Sequence, residues 1–353
     1  MANKLKVAIV GCGSIARGYH LPAYGRLADI AEVVAVCDIV RERAQAFADR
    51  LGLAADKVYT AVEDLLAKEK VDYIDCCTWP SAHAPVCIAA ANAGVNILCE
   101  KPLAATLEQG LAIEKAVKEN GVNFQLAVVT RYGAEQIKYM EMFEEGVFGE
   151  IYAANTQYIR RRGIPGGWFS NKEIAGGGPV LDIGVHAIDR TWYLMGRPKP
   201  VSVSAEVSTR IGKYKTTGDG IFNWDAEGAD SNFVFDVEDS AIAFFRFEGG
   251  KTMVADVSWT INGPEECTTQ LYGTKAGCTF EPFTIYGEDE NNHLCDTTPE
   301  VEGEEFFTAE IRHFIGCINE NKTPISNIDD AVTVQRMLDG IYRSAEAHRE
   351  IAL

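Results

Sequence analysis

"VAIVGCGSIARG", residues 7–18, decides the fold. Four apolar residues, three of them β-branched, run into Gly11-x-Gly13-x-x-Ala16, so a strand turns sharply into a helix. Gly11 permits the tight turn, Gly13 lets a pyrophosphate approach the backbone, and Ala16 allows the helix to pack closely on the strand. Ser14 and Ile15 open that helix, where backbone N–H groups and the positive dipole end suit a phosphate. Working outward, a second apolar run, "EVVAVCD" at 32–38, ends in Asp38, 22 positions after Ala16. A carboxylate there accepts hydrogen bonds from the adenosine ribose hydroxyls and repels a 2′-phosphate, which favours NAD over NADP. Arg41 and Arg43 pull the other way, because an arginine just past this strand can hold a 2′-phosphate. A plain strand–helix turn without a ligand is the competing reading of the glycines.

Further runs follow at 71–77, 95–100 and 123–129, separated by Ala-, Arg- and Glu-rich segments with helical apolar spacing. Strands that are apolar on both faces and alternate with helices predict a parallel, doubly wound Rossmann sheet. Ligands bind at the carboxyl ends of such strands. Two stretches fall there: "CCTWPSAH" (76–83), with Thr78, Trp79 and His83, and "CEKPLA" (99–104), with Glu100 and Lys101. Position alone leaves Lys101 open between a solvated loop residue and a positioned charge, and His83 between a cofactor pocket and local packing.

Beyond residue 130 the texture shifts to alternating strand patterns, among them 201–211, 231–250, 251–263 and 267–277, and two helical patterns close the chain. The expected organisation is therefore a nucleotide-binding domain over 1–129 and an α/β domain with an open, mostly antiparallel or mixed sheet over 130–353. With 51 acidic against 33 basic residues, a net charge of −18, the chain's field repels nucleic acid and anionic membranes. No apolar run reaches membrane-spanning length, and the N-terminal run passes straight into the glycine turn rather than forming a signal peptide. Ten scattered cysteines with no CxxC pair read as buried, reduced thiols of a cytoplasmic protein.

"GGGPVLDIGVHAID" (176–189) places Asp182 and His186 four apart, on one face if a helix starts near Pro179. A solvated helix pair is one reading and a metal site another. Glu173 and Asp189 are at hand, but no cysteine or second histidine is near, so no metal is expected. Just upstream, 158–178 carries Arg160–Arg162 and Trp168-Phe169. This loop suits a substrate, with Trp168 stacking on a sugar face and Arg161 meeting an anionic group, or else a structural contact. Arg131 points either into the cleft or to the surface. His20, His293, His313 and His348 receive no role.

Together these elements resemble the Gfo/Idh/MocA family: Gly11-x-Gly13-x-x-Ala16, Asp38, "TWPSAH" at 78–83, "EKP" at 100–102, "GGGPVLDIGVHAID", "GTKAG" at 273–277 and the closing "NIDDAVTVQRMLDGIYRSAEAHREI". Related sequences often read T-P-N-x-x-H where this chain has Trp79 and Ser81. The resemblance implies NAD(P)-dependent oxidation or reduction of a secondary alcohol on a sugar or cyclitol. It also implies an open sheet that packs against another subunit in a homodimer or homotetramer, and a reaction centre lined by Lys101, Asp182 and His186. Histidine starts near neutrality, so His186 suits the acid/base. Lys101 polarises the hydroxyl, an effect worth ~3 kcal/mol in a dry site. Asp182 accepts from a sugar hydroxyl or holds its neighbours, and the glycines at 176–178 let the backbone pass close to nicotinamide and substrate. Two alternatives share the cofactor: glycoside cleavage through transient oxidation and elimination, and a non-catalytic NAD-binding regulator.

Overall fold

A computed structural model describes residues 4–165, 167–212, 221–222 and 234–353. The chain packs as two units, Met1–Val129 with Glu304–Val332, and Thr130–Gly303 with Thr333–Leu353.

The first unit is built on a six-stranded sheet: β1 (Leu5–Val10), β2 (Ala31–Cys37), β3 (Val58–Tyr59), β4 (Tyr73–Cys76), β5 (Asn96–Glu100) and β6 (Phe124–Ala127). The strands lie in the order β3-β2-β1-β4-β5-β6, and every pairing is parallel. This is the doubly wound sheet the sequence predicts, with the order reversing between β1 and β4. Alternate residues serve opposite faces. Ala8, Ile74, Ile97 and Leu126 pack with residues of α3 (Val62–Lys68), α4 (Pro80–Asn92) and α5 (Leu107–Asn120). Val7, Ile9, Val36, Tyr73 and Leu98 face α1 (Leu21–Arg26) and α2 (Arg41–Leu51).

The second unit carries α6 (Ala134–Glu144), α7 (Lys172–Ala175) and α8 (Val185–Leu194). Its strands are β7 (Ile151–Ile159), β8 (Ile164–Pro165), β9 (Pro200–Ser208), β10 (Ile221–Phe222), β11 (Ser240–Phe247), β12 (Thr252–Ser258), β13 (Glu266–Gly273), β14 (Gly277–Phe280), β15 (Thr284–Glu288), β16 (Leu294–Thr297) and β17 (Ile351–Ala352). Nine of these form one sheet in the order β16-β15-β14-β13-β7-β12-β11-β9-β17, antiparallel except for the β7–β12 pair, while β8 and β10 pair separately. Of the strand pattern at 231–250, residues 231–233 lie outside the described residues.

One face of the large sheet is buried by α8 and by Val334, Met337, Leu338 and Ile341 of α10 (Ile328–Ala347) around Phe245, Met253 and Leu271. The other face presents Tyr152, Ile242, Val254, Tyr272 and Tyr286 to solvent. The period-2 alternation along these strands produces that two-sided character.

The second domain expected from sequence runs unbroken over 130–353, whereas residues 304–332 pack with the first sheet. Within them α9 (Phe306–Glu320) is capped by the Glu305 carboxylate, which accepts the Phe307 and Thr308 N–H groups at 3.2 and 3.1 Å. Its apolar stripe Ile311, Phe314 and Ile315 joins Val7, Ile9 and Tyr73, with Phe314 edge-on to Tyr73 at 5.4 Å. The backbone N–H of Leu126 also donates to Ser326 O at 2.8 Å. The segment therefore completes a face of a sheet formed some 200 residues earlier, a long-range pairing that leaves no local signal.

Candidate active site

In the first unit, the loops leaving β1, β2, β4 and β5 form one sheet edge. Gly11 has φ +95°, and a Cβ there would lie 2.6 Å from the carbonyl of Cys77, so no other residue fits. At Gly13 a Cβ would meet nothing within 4 Å, which leaves the backbone approachable from outside. Ser14 begins the helical run, and Ala16 is fully buried against the sheet. Residues Ala16–His20 form a π-helical turn rather than a plain α-helix. Pro22 follows directly and has no N–H to donate, and the Leu21 N–H bonds five residues back to Ala16 O. Asp38 closes the loop from the β2 side: Oδ2 accepts the Cys12 N–H and Oδ1 the Val40 N–H, both at 2.8 Å. An open glycine backbone beside a helix start, with a fixed carboxylate at the end of the next strand, fits a dinucleotide.

Thr78 and Trp79 are half-buried at the end of β4, with Trp79 as the cap residue of α4. His83, fully buried, links two parts of this edge: its Nδ1 lies 2.8 Å from Pro102 O and its Nε2 3.0 Å from Thr78 O. Both ring nitrogens are thus engaged with backbone carbonyls, and the side chain shapes the edge. Glu100 ends β5, and the half-buried Lys101 follows.

Beneath Lys101 lies a network that the sequence does not reveal. His20, which from sequence is a loop histidine without partners or role, is fully buried between two carboxylates, with Nδ1 2.8 Å from Asp75 Oδ2 and Nε2 2.9 Å from Glu100 Oε1. Tyr24 donates to the same Asp75 oxygen at 2.9 Å, and the Cys77 thiol donates to Asp75 Oδ1 at 3.3 Å. The other Glu100 oxygen accepts the Lys101 N–H at 3.1 Å. Burial alone would strip His20 of its proton, but the Asp75 carboxylate prevails and holds its pKa well above the usual histidine range. Glu310 of α9 is also fully buried. Burial first, and then the charge of Glu100, pushes its carboxyl well above the usual range. The one local signal is that His20 follows the glycine turn at helical spacing, but its partners are 55 and 80 residues away.

In the second unit, the helix does start at Pro179, yet Val180–Gly184 form a π-helical turn before α8 proper. Asp182 and His186 are both half-buried. Asp182 Oδ2 accepts the indole N–H of fully buried Trp259 at 2.9 Å and lies 3.9 Å from Arg160 Nη1. Trp259 and Arg160 are thus the neighbours that fix Asp182. The glycines ahead of this helix do something other than expected. A Cβ at Gly177 would fall 1.9 Å from Tyr342 Oη, and one at Gly178 2.2 Å from Glu238 O, so both make room for the protein itself. Buried Glu238 in turn accepts the Gly178 and Val180 N–H groups at 2.9 and 3.1 Å and the Tyr342 hydroxyl at 2.9 Å, capping the helix start.

The arginine-rich loop divides its work. Arg160 lies over the Tyr158 ring at 5.3 Å beside Asp182, while Arg162 donates to Asn262 Oδ1 and Ile261 O at 2.6 and 2.8 Å. Arg161, the expected substrate contact, is exposed, and its backbone N–H donates to Glu265 at 3.1 Å. Trp168 is half-buried and stacked on Phe169, with ring centroids 3.9 Å apart. Arg131 is neither in a cleft nor on the surface. It is 1 % exposed and makes a two-pronged pair with Asp189, Nε–Oδ2 2.9 Å and Nη2–Oδ1 2.6 Å, above the Tyr193 ring at 4.7 Å. Its guanidinium, and the Asp189 that the sequence offers as a metal ligand, are therefore committed to each other. Among the described residues, two triads could bring ligand atoms within 4.8 Å of one another: His20, Asp75 and Cys77, and Cys76, Cys87 and Cys99. Asp182 and His186 belong to neither.

Comparison with known proteins agrees with this architecture. The family model described as "Oxidoreductase family, NAD-binding Rossmann fold" matches residues 5–128, and the "GFO/IDH/MocA C-terminal domain" matches 137–279. The chain is 30% identical over 355 residues to the D-glucoside 3-dehydrogenase of Escherichia coli (strain K12), covering 100% of this chain and 98% of the relative. It is 30% identical over 217 residues to the levoglucosan dehydrogenase of Pseudarthrobacter phenanthrenivorans, covering 60% and 55%. A solved structure of levoglucosan dehydrogenase in complex with NADH shares the fold, with a TM-score of 0.86 over 99% of both chains at 23% identity. The chain belongs to the Gfo/Idh/MocA family of oxidoreductases, with an NAD-binding Rossmann fold in its first unit.

Proposed function

We propose that this protein is an NAD-dependent dehydrogenase that oxidises a secondary alcohol of a sugar, sugar derivative or cyclitol. The observation that carries the reading is that Lys101 leaves β5 at the same sheet edge as the Gly11–Ser14 turn, so a charged donor stands on the cofactor's side of the first unit. Full-length similarity to a D-glucoside 3-dehydrogenase supports the substrate class. Gly13, Ser14 and Ile15 would receive the pyrophosphate, Asp38 the ribose hydroxyls, and Thr78 and Trp79 the nicotinamide half. NAD, when bound, supplies the hydride acceptor.

The chain's own residues handle the proton. We assign His186 the role of accepting it from the substrate hydroxyl and Lys101 that of donating a hydrogen bond to the same oxygen as negative charge develops. Asp182, held by Trp259 and Arg160, accepts from a neighbouring hydroxyl, and Trp168 offers an aromatic face to the ring. The exposed face bearing Tyr152, Ile242, Val254, Tyr272 and Tyr286 is the surface we assign to a homodimer or homotetramer contact. Eight of the ten cysteines are buried and all are unpaired, which suits a reducing cytoplasm. Two variants test the assignment. His186→Ala lowers kcat by ~10³-fold and Lys101→Met by ~10²-fold, with NAD affinity retained in both. Wild-type kcat in either variant would remove that residue from the chemistry.

A further inference from the structure

Cys76 at the end of β4, Cys99 on β5 and Cys87 on α4 converge in the core of the first unit. Cys76 and Cys99 are register partners across the parallel β4–β5 pair, and α4 lays Cys87 over them. The three sulfurs lie within 4.8 Å of one another, and none of the three residues has any exposed surface. Their surroundings are largely apolar, with Ala84, Ala90, Ala91, Ile97 and Leu103 in the same cluster, while the Thr78 hydroxyl lies 3.4 Å from Cys76 Sγ and the Cys99 thiol donates to Glu100 O at 3.4 Å. Among the described residues no carboxylate or imidazole joins the group as a fourth ligand.

An atom that binds three sulfurs at about 2.3 Å sets them about 3.5–4 Å apart, a spacing this triad reaches with small side-chain adjustments. Charge then selects the occupant. Three thiolates around a monovalent ion leave two net negative charges in an apolar core, and around a divalent ion they leave one. Either is costly without a compensating partner. Structural zinc also takes a fourth protein ligand, which is missing among the described residues. A trivalent centre is different, because three thiolates neutralise it completely.

We infer that Cys76, Cys87 and Cys99 form a buried three-thiol site for a trivalent group-15 oxyacid, of which arsenous acid is the simplest. The reaction balances without a redox partner. Three S–H and three As–O bonds break, three As–S bonds form, and three waters leave with arsenic still trivalent. Because the sulfurs are inaccessible, uptake waits on a local opening of α4 from the sheet, so it is slower than alkylation of the exposed Cys267 and Cys295.

The test is native mass spectrometry of the full chain incubated with arsenite under a thiol-free reductant, with thermal unfolding in parallel. The expected result is one arsenic per chain at a mass showing loss of three protons and no retained oxygen, accompanied by a higher Tm. The double variant C267S/C295S gives the same adduct, whereas C87A loses affinity by ~100-fold or more. No adduct, an adduct that keeps an oxygen, loss of binding in C267S/C295S, or unchanged binding in C87A would each overturn the assignment. Wild type and C267S/C295S keep the triad intact, so the site can be refuted whether or not C87A folds.

Discussion

His20 Nε2 lies 2.9 Å from Glu100 Oε1, and the other oxygen of that carboxylate holds the Lys101 N–H. A histidine two turns past the glycine loop thus secures the strand end from which the proposed catalytic lysine departs. Removing it leaves Asp75 and Glu100 buried without their shared counter-charge. His20→Ala is expected to lower unfolding free energy by about 3–5 kcal/mol in urea titrations. A loss below about 1 kcal/mol would mean that the pairing adds little to the fold.

The same network sets a pH dependence. Glu310 and His20 both hold protons more tightly folded than unfolded, so their stabilising contribution is complete below their ordinary values of 4.5 and 6.5 and is lost as pH rises above each. Each contributes a loss of up to about 1.4 kcal/mol per pH unit within its window. Glu310→Gln carries no titrating proton, and it should flatten the fall in stability that sets in as pH rises above 4.5. Unfolding midpoints with equal pH slopes in wild type and variant would contradict the upward shift of buried Glu310.

Asp38 is the residue we propose as the cofactor determinant. With both oxygens already ordering the Cys12 and Val40 N–H groups, it is rigidly placed to favour ribose hydroxyls over a 2′-phosphate. Asp38→Ser should weaken NAD binding by ~10-fold or more and narrow the NAD/NADP preference, as read by fluorescence titration of both reduced cofactors. An unchanged preference would place the selection elsewhere, with Arg41 and Arg43 the next residues to vary.

Arg131 and Trp259 separate structure from chemistry in the second unit. Arg131→Leu strands Asp189 and should cost about 3–5 kcal/mol of stability, with KM unchanged in the protein that folds. Trp259→Phe removes only the donor to Asp182 and some volume, so it should lower kcat by ~10-fold with smaller loss of stability. A raised KM in Arg131→Leu would return that residue to the substrate.

Much of the architecture is legible from residues close together in sequence. The turn Gly11-x-Gly13-x-x-Ala16, the acid at Asp38 and the alternation of β-branched runs with helices specify a parallel sheet, because each signal is local in the chain. Period-2 alternation likewise marks the open sheet of the second unit. What stays hidden is long-range pairing: His20 with Asp75 and Glu100, Asp182 with Trp259, Arg131 with Asp189, and residues 304–332 with the first sheet. The glycines at 177 and 178 illustrate the difference. Their need for close approach is readable, but Tyr342 and Glu238, the groups that approach, are distant in sequence.

The most direct measurement follows reduced nicotinamide absorbance while the purified protein meets a panel of hexoses, glucosides, uronates and inositols with NAD and NADP. A dehydrogenase of this class accumulates NADH in step with oxidised product for at least one sugar or cyclitol, with NADP much less effective. Product formation with no net change in cofactor, or no turnover of either cofactor across the panel, would contradict the proposed activity.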